Sequence, residues 1–310
     1  MPSGYMSFGA YMKERFGEMV YKVNVDAGFT CPNRDGSIAR GGCIYCNNES
    51  FRPSSCKPAI PVSEQVSNGI SYVKKRYGAK KFIAYFQPYT NTYSDIDTLR
   101  VLYREALHDE RVIGLAIGTR PDCIDEDKLS MLEEMAKEHF ILVEYGLQSI
   151  YDRSLEYINR GHNYKCFQDA VRMTLDRGIE IGAHLIVGFP TETREEMLNM
   201  AEEISNQPIG FLKIHQLQIV KNTALAKMHE RSPIDTFGYE EYLDFIVDFV
   251  ERLDPDIVLQ RLFALSPDDI LIAPRWDMTK QQIIRGINAR FSERGTSQGR
   301  LFKKGVTSAA

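Results

Sequence analysis

Segments typical of strands and of helices alternate along most of this chain. In the helical segments apolar residues recur at steps of three and four, as at Val66, Ile70 and Val73. We predict strands at 20–26, 81–86, 112–118, 140–146, 179–187 and 210–219, and helices at 63–77, 96–108, 126–138, 164–177, 193–206 and 239–252. Strands that alternate with helices pair in parallel through right-handed crossovers. The chain is therefore predicted to have an α/β fold. Six such units suit an open, partial β/α barrel better than a full barrel of eight units.

The length and composition fit a single large domain. The 310 residues are 43% hydrophobic, which is enough to bury a sizeable core, and we find no linker or internal repeat. We therefore predict one domain over 1–310, with an N-terminal extension at 1–19, a barrel core at 20–255 and a C-terminal extension at 256–310. In the last segment we predict strands at 256–260 and 270–272 and a helix at 279–290.

The net charge of −4 gives no general support for binding nucleic acid in bulk. Local basic clusters lie at 74–81 and 290–304, and both are typical of solvated surfaces. The second, which includes Phe302, is also a candidate RNA contact. The first residues lack the pattern of a signal peptide, and no apolar run is long enough to cross a bilayer. These features predict a soluble cytoplasmic protein with no membrane association, whose six cysteines stay reduced.

Three cysteines form a spaced group after the first predicted strand. Cys31, Cys43 and Cys46 follow the spacing Cys-x11-Cys-x2-Cys, and no fourth cysteine stands at a matching interval. Three thiolates leave one iron of a [4Fe-4S] cube without a protein ligand, free to bind a small molecule. A structural zinc site, by contrast, has four protein ligands. No histidine lies between residues 1 and 107 to serve as a ligand. A local zinc site with four thiolates, the fourth from Cys56, stays an alternative. Elsewhere, Cys123 and Cys166 lack metal spacing and are predicted to be buried structural cysteines.

The cysteine loop resembles that of the radical SAM proteins, in an unusual x11 form of their Cys-x3-Cys-x2-Cys motif. Further along, the segments EYGLQSIYD (144–152), NRGH (159–162) and HLIVGFP (184–190) resemble the radical SAM domain of the Elongator catalytic subunit. The likeness extends to TRPD (119–122) and covers roughly residues 20 to 220. The opening DAGFTCPNRDG (26–36) resembles a stand-alone bacterial branch of that superfamily. Members of this branch are associated with tailoring the aminomethyl side chain of wobble uridine in tRNA.

The resemblance implies a cofactor, a reaction and partners. Cys31, Cys43 and Cys46 would hold a [4Fe-4S] cluster, and S-adenosylmethionine (SAM) would chelate the fourth iron. Reductive cleavage of SAM would give a 5′-deoxyadenosyl radical, which takes hydrogen from an unactivated carbon. The partners implied are tRNA as substrate and an electron donor of the flavodoxin or ferredoxin type. The sequence leaves the oligomeric state open.

The resemblance also implies residues that bind SAM. Gln148 would bond the ribose hydroxyls, Arg160 would pair with the SAM carboxylate, and the backbone beside Tyr45 would hold adenine. His184 would contact ribose or substrate, and Glu144 would contact SAM or substrate. Taken alone, Gln148 could cap a helix, Arg160 could be a surface charge, and His184 fits a core histidine better. In register with the motif, a functional role is favoured for Gln148 and Arg160.

The sequence differs in three places from the families that it resembles, and these differences affect the expectations above. Gln87 lies in FQPYTNT (86–92), where many radical SAM enzymes have a glycine-rich stretch that holds the SAM amino group. Elongator-like domains have a glutamate where this chain has Gly118. The sequence shows no acetyltransferase domain, which predicts a reaction other than acetyl-CoA-dependent carboxymethylation.

Several residues keep more than one interpretation. The side chains of Tyr85, Tyr89 and Tyr93 could stack a flipped uridine, although aromatic residues at this period are more often core. The sequence does not assign roles to the residues His162, His215, Arg261 and Trp276. The favoured function is a radical SAM enzyme acting on the wobble-uridine side chain, of the carboxymethylaminomethyl or aminomethyl type. The alternatives are a radical SAM enzyme with a small-molecule substrate, such as a tetrapyrrole, and a non-catalytic metal-binding protein.

Overall fold

The computed structural model describes residues 4–47 and 57–303. Its strands are β1 (Val20–Val25), β2 (Lys81–Phe86), β3 (Val112–Thr119), β4 (Phe140–Gln148), β5 (Glu180–Val187), β6 (Phe211–Gln216), β7 (Ile219–Val220), β8 (Val258–Arg261) and β9 (Leu271–Ala273). Its helices are α1 (Phe8–Phe16), α2 (Pro32–Asp35), α3 (Val62–Tyr77), α4 (Ile96–Ala106), α5 (Glu126–Ala136), α6 (Asp152–Tyr157), α7 (Tyr164–Thr174), α8 (Arg194–Ser205), α9 (Ala224–Arg231), α10 (Tyr239–Arg252) and α11 (Lys280–Arg294).

Seven parallel strands form one curled sheet in the order β1-β2-β3-β4-β5-β6-β8. This half-barrel confirms the predicted open, partial β/α barrel. The predicted count of six strands is one short, because β8, predicted as the strand at 256–260, pairs with β6 at the edge of the sheet. Its Val258 packs on the inner face and its Leu259 on the outer, so both faces of this short strand are buried.

The predicted sixth strand, 210–219, is divided in the structure. β6 ends at Gln216, and the chain then leaves the sheet, with the Leu217 amide bonded to the Val187 carbonyl at 2.7 Å. After Gln218, the residues Ile219–Val220 form β7, which pairs antiparallel with β9 in a separate two-stranded sheet. The apolar run is continuous in the sequence because residues of both strands are buried.

The outer face of the half-barrel is covered by helices. A continuous core extends from Val23 on β1 to Phe291 on α11 and includes most of the apolar face of α10. Within the described ranges, no helix is long and apolar enough to cross a membrane. The helices therefore bury their apolar stripes against the sheet, as the periodicity predicts.

The N-terminal helix α1 closes the lower end of the half-barrel from inside. Its Phe8 and Tyr11 rings contact Phe211 with centroids 6.1 and 5.2 Å apart, and Phe16 lies edge-on to Phe140 at 5.9 Å. The segment before α1 also bonds to β8, with the Leu259 amide 2.8 Å from the Met6 carbonyl. The lower lumen is therefore filled with aromatic side chains.

The basic C-terminal cluster is used to hold the fold. Arg290 on α11 bonds Glu240 and Asp244, and Arg294 bonds Asp244 and Asp248, all on α10. Their guanidinium groups are thus already paired, which disfavours the predicted RNA contact at these two residues. Phe302 is half-buried, and residues 304–310 lie outside the described ranges.

Candidate active site

A cavity of about 220 Å³ opens at the carboxyl ends of the strands. The three cysteines Cys31, Cys43 and Cys46 line it. All six predicted cofactor-binding residues also line it: Tyr45, Gln87, Glu144, Gln148, Arg160 and His184. The structure therefore brings the predicted residues together around one space, while the roles assigned to them stay predictions.

The x11 segment between the first two cysteines folds back on itself. Cys31 immediately precedes the short helix α2, and Gly36 ends that helix with φ of 99°. The Ile38 amide bonds the Pro32 carbonyl at 2.9 Å, and the Gly42 amide bonds the Asn33 carbonyl at 2.8 Å. This compact loop returns the chain toward α2, where Cys43 and Cys46 follow.

The segment Asn159–Gly161 anchors the cysteine loop to the barrel. The Asn33 side-chain amide donates to the Asn159 carbonyl, and the Asn159 side-chain amide donates to the Gly42 carbonyl at 2.9 Å. Gly161 has φ of 76°, and a Cβ there would lie 2.9 Å from Asn33 Oδ1. The Asn-Arg-Gly part of the NRGH motif therefore has a structural basis, because it positions the loop that carries the cysteines.

Cationic and amide groups point at two of the cysteine sulfurs. Arg160 Nη1 and Asn33 Nδ2 each lie 3.6 Å from Cys43 Sγ, and Arg34 Nη1 lies 3.8 Å from Cys46 Sγ. Burial, with the nearby Cys43 next, raises the pKa of Cys46 to about 11, and Arg34 opposes that rise. Such N–H donors suit thiolates that bind iron, since hydrogen bonds to cluster sulfurs are a usual means of tuning clusters.

The donor set fits an iron–sulfur cube better than a single metal ion. Across residues 4–47 and 57–303, no three Cys, His, Asp or Glu side chains form a group that could hold one metal ion. A cube makes a different demand, since each of its thiolates binds a separate iron. Three free cysteines around one cavity, with N–H donors on two of them, meet that demand.

Arg160 is buried and held in a close-fitting site. Its Nε lies 3.2 Å from the Gly146 carbonyl, and its Nη2 donates to the same oxygen. A Cβ on residue 146 would lie 2.6 Å from Arg160 Nη2 and 2.8 Å from Gln148 Nε2. Glycine at this position therefore lets the guanidinium of Arg160 reach Cys43. Behind it, Arg120 donates to the Arg160 carbonyl at 2.8 Å while it forms a bidentate pair with Asp122.

Gln148 and Gln87 stand where their strands end. Gln148 has a left-handed φ of 79°, and the pairing of β4 with β5 shifts register between Gly146 and Gln148. A positive φ is costly for glutamine, and such strained positions cluster at functional sites. Gln87 follows β2 directly and lines the cavity.

A charged network forms the cavity floor. Glu144 is fully buried, and its carboxylate accepts from Lys22 at 2.8 Å, from His184 at 3.1 Å and from Lys213. Burial alone would raise the pKa of Glu144, but Lys213 and then Lys22 hold it well below its usual range. Lys213 also donates to Tyr85 Oη at 2.6 Å. Glu144 therefore stays ionised, with both oxygens occupied by side chains of the barrel.

Both lumen histidines are neutral near pH 7. Burial, followed by the charge of Lys213, lowers the pKa of His184 to about 4. Burial and then Arg261 hold the pKa of His215 well below its ordinary value. His215 Nε2 is buried without a hydrogen-bond partner among the described residues. Each imidazole can therefore offer one N–H and one acceptor nitrogen.

Of the residues without an assigned role, two belong to the cavity and two do not. His215 and Arg261 line it. His162 does not, and burial lowers its pKa to about 3. Trp276 packs on Tyr242 at 5.1 Å and bonds the Phe237 carbonyl at 2.9 Å, which gives it a structural role in the C-terminal segment.

The three tyrosines considered for base stacking have different positions. Tyr85 is buried in the lumen with its hydroxyl bonded to Lys213. Tyr89 lines the cavity with Arg34 above its ring at 5.9 Å. Tyr93 bonds Ser37 of the cysteine loop at 2.8 Å. Tyr89 therefore remains a candidate for stacking a base.

The remaining cysteines stand apart from this cavity. Cys123 is buried, as predicted, and Cys166 is only half-buried because it lies in the first turn of α7 near the surface. Neither lines the cavity. Cys56 lies outside the described residues, so a ligand role for it is not addressed by the structure.

Several site residues were missed by the sequence reasoning. Lys22 is one of them. It lies two residues after the inward-facing Val20 on the same strand, so alternation along the strand predicts that it also faces the lumen. Asn33 and Arg120 are others, and both lie in motifs whose likeness was noted without a role for these side chains. Their contacts depend on how the loops fold together, which periodicity does not show.

Comparison with known proteins identifies the family. The model of the radical SAM superfamily matches residues 33–204, and that of the radical SAM C-terminal domain matches residues 209–293. A Bacillus subtilis protein named YtqA, described as uncharacterized, is 31% identical over 97% of this chain and 93% of its own length.

Two further proteins share part of the sequence or the fold. A Methanocaldococcus jannaschii tRNA uridine(34) acetyltransferase is 30% identical over 47% of this chain, which corresponds to 27% of that protein. The structure of an archaeal Elp3 from Methanocaldococcus infernus, with an N-terminal deletion, superposes with a TM-score of 0.69 at 19% identity. That match covers 90% of this chain and 64% of the other, and shows a common fold. Because a radical SAM model matches more than half of the chain, the chain belongs to the radical SAM superfamily and is an enzyme that uses a [4Fe-4S] cluster and SAM.

Proposed function

We propose that this enzyme modifies the side chain of the wobble uridine in tRNA, of the carboxymethylaminomethyl or aminomethyl type. The observation that carries the proposal is where the Elongator-like segments lie. Residues of all four segments meet at or beside the cavity: Thr119, Arg120, Glu144, Gly146, Gln148, Arg160, His184 and Ile186 line it. The likeness is therefore concentrated where substrate and cofactor would meet.

The relatives support the same substrate class. One of them is named for uridine 34 of tRNA, and another with the same fold is an Elp3. This chain spans only 27% of the named acetyltransferase, so the rest of that protein's activity is not carried over. A related substrate with a different reaction fits this pattern best.

The residues around the cavity have separable tasks in this proposal. Cys31, Cys43 and Cys46 would hold the cluster, with Arg160 and Asn33 donating to Cys43 Sγ. When bound, the cluster and SAM together supply a carbon-centred radical that can remove hydrogen from an unactivated carbon. The residues that line the cavity would shield that radical from stray hydrogen donors.

SAM would occupy the side of the cavity next to β4. Gln148 at the end of β4 would bond the ribose hydroxyls, and Gln87 would lie near the amino group. Arg160 would offer its guanidinium to the SAM carboxylate beside Cys43. His184, neutral and bonded to Glu144, would orient ribose or substrate. We expect a cytoplasmic electron donor of the flavodoxin or ferredoxin type.

The test is the nucleoside profile of tRNA from a strain that lacks the gene. We expect one modified wobble uridine to be lost and its precursor to accumulate. Complementation with the wild type or with Cys123→Ala should restore the profile, because Cys123 does not line the cavity. Complementation with Cys43→Ala should not.

An unchanged tRNA profile in the deletion strain would rule out the proposal. If the purified protein still cleaved SAM reductively, the small-molecule alternative would take its place. Stoichiometric zinc, no sulfide and no cleavage of SAM would instead indicate a metal-binding protein without this activity.

A further inference from the structure

Basic side chains of β1, β6 and β8 lie near one carboxylate at the cavity floor. Lys22 on β1 and Lys213 on β6 both bond the Glu144 carboxylate, and Arg261 on β8 lies beside Lys213. Burial lowers the pKa of Lys213 well below its usual range, although Glu144 opposes that shift. His184 and His215 add no charge, because burial holds each of them neutral. Basic side chains in excess of carboxylates around one cavity suit an anionic ligand.

A β-bulge turns Arg261 into the lumen. The pairing of β6 with β8 shifts register between Leu212 and Lys213, so that Lys213 lies beside Arg261 and Gln260 is the extra residue. Two successive side chains of β8 therefore serve the lumen: Gln260 accepts from Lys22, and Arg261 lines the cavity. Bulges commonly re-aim side chains next to active sites.

Side-chain nitrogens at this place lack partners among the residues that the structure describes. Among the residues that the structure describes, Arg261 forms no hydrogen bond or ion pair, and it is exposed where it lines the cavity. His215 Nε2 and Gln260 Nε2 are buried without partners in the same set. Buried donors are normally bonded, so unmet ones beside a cavity indicate a ligand.

We propose that Lys213, His215 and Arg261 form a subsite for a carboxylate carried by the substrate. Arg261 would pair with the carboxylate through its forked guanidinium, while Lys213 and His215 would donate to it from β6. This inference rests on the proposed function and narrows it to a uridine whose side chain ends in a carboxylate.

The position of the subsite favours a side-chain carboxylate over other anions. A backbone phosphate lies between two nucleosides, whereas this subsite lies on the cavity floor among residues of β6 and β8, where a group at the tip of a base's side chain can reach it. The SAM carboxylate has a candidate partner in Arg160, beside Cys43 and the end of β4. The anion at β6 and β8 is therefore assigned to the substrate.

The experiment compares two tRNAs with the reconstituted, SAM-bound holoenzyme. One carries carboxymethylaminomethyluridine at the wobble position, and the other is identical except for aminomethyluridine. We expect the wild type to bind the first at least about tenfold more tightly, as one charge-assisted pair gives. Arg261→Gln should lose this preference, and Arg261→Lys should restore part of it.

The matched control is Arg285→Gln, since Arg285 is an exposed arginine that does not line the cavity. It should keep the wild-type preference. Affinity for SAM and cluster absorbance should be unchanged in Arg261→Gln, which excludes a general loss of structure. A wild-type preference that survives in Arg261→Gln would overturn the subsite.

Other outcomes separate the possible failures. Weaker SAM binding in Arg261→Gln with an unaltered preference between tRNAs would assign the carboxylate to SAM and overturn the subsite. Equal binding of both tRNAs by the wild type, together with an altered tRNA profile in the deletion strain, would overturn the subsite and leave the proposed function standing. An unaltered profile would overturn both.

Discussion

At the scale of single residues, the site depends on close contacts made by small or buried groups. Gly146, Arg160 and Cys43 form a chain of contacts from the end of β4 to the cysteine loop. On the floor, the carboxylate of Glu144 is held by two ammonium groups and an imidazole. Substitutions at these positions should alter function through identifiable contacts.

Replacing Cys43 by alanine should abolish the cluster. Cys43 Sγ receives hydrogen bonds from Asn33 and Arg160 and is one of three cysteines on the cavity. Iron and sulfide content and visible absorbance after anaerobic reconstitution measure the outcome. Cys123→Ala serves as the control and should keep a full cluster. A full cluster in Cys43→Ala would show that the ligands are assigned incorrectly.

Gly146→Ala should impair SAM cleavage while the chain still folds. The new methyl group would meet Arg160 Nη2 at 2.6 Å and force the guanidinium away from Cys43. Such overpacking costs about 1–3 kcal/mol of stability. The matched control is Gly210→Ala, where a Cβ has one neighbour at 3.7 Å. Equal SAM cleavage rates in the two variants would contradict the role given to Gly146.

Stability should fall between pH 6.5 and 5.5, in part through His184. Burial and Lys213 lower its pKa to about 4 in the folded protein, whereas the unfolded chain binds a proton near pH 6.5. Between these values only the unfolded state is protonated, so the free energy of unfolding decreases as the pH falls. From pH 6.5 to pH 5.5, we expect the free energy of unfolding to fall by about 1 kcal/mol more in the wild type than in His184→Gln. Chemical denaturation at both pH values measures this, and equal losses would contradict it.

At the scale of elements, two short segments complete the half-barrel that the six long strands and their helices form. α1 fills the lower lumen, and β8 adds the seventh strand. Neither is long, and β8 carries a register shift. Such elements are stabilised by the packing they complete, and local propensity contributes little to them.

Phe211→Ala tests how α1 is held. The Phe211 ring contacts Phe8, Tyr11 and Phe140 and is almost fully buried. Its removal should cost about 3–5 kcal/mol in the free energy of unfolding, measured by chemical denaturation. Tyr72→Ala on the exposed face of α3 should change stability by about 0.5 kcal/mol or less. A similar small change for Phe211→Ala would show that α1 does not pack as described.

The six long strands and their helices could be predicted because their apolar residues follow one period over many residues. The cysteine spacing and the motifs likewise indicated Cys43, Gln148 and Arg160. Lys22 and Gln260 were harder to identify as partners, since their contact requires the curl of the sheet and the bulge in β8. The register and the curl of the sheet depend on tertiary packing, which a pattern within one segment does not show.

At the scale of the whole molecule, one core connects the first strand to the last helix. The same cluster of buried residues includes Val23, Ile257 and Phe291. The segment matched by the C-terminal family model therefore packs into the barrel, and its β8 supplies the wall that carries Arg261.

We expect the chain to unfold in one cooperative transition. The continuous core leaves no boundary along which one part could melt before the other. Near- and far-ultraviolet circular dichroism should give coincident denaturation curves. Two separated transitions would contradict the prediction of a single domain.

The aromatic packing of α1 has a consequence for the order of events in turnover. With the lower end of the half-barrel filled by Phe8, Tyr11 and Phe16, the cavity communicates with solvent at the strands' carboxyl ends. In the part of the chain that the structure describes, this is the opening that SAM, substrate and products would use. The tRNA proposed above as substrate would cover that opening, so SAM would bind before it, the cleavage products of SAM would leave after it, and excess tRNA would slow turnover.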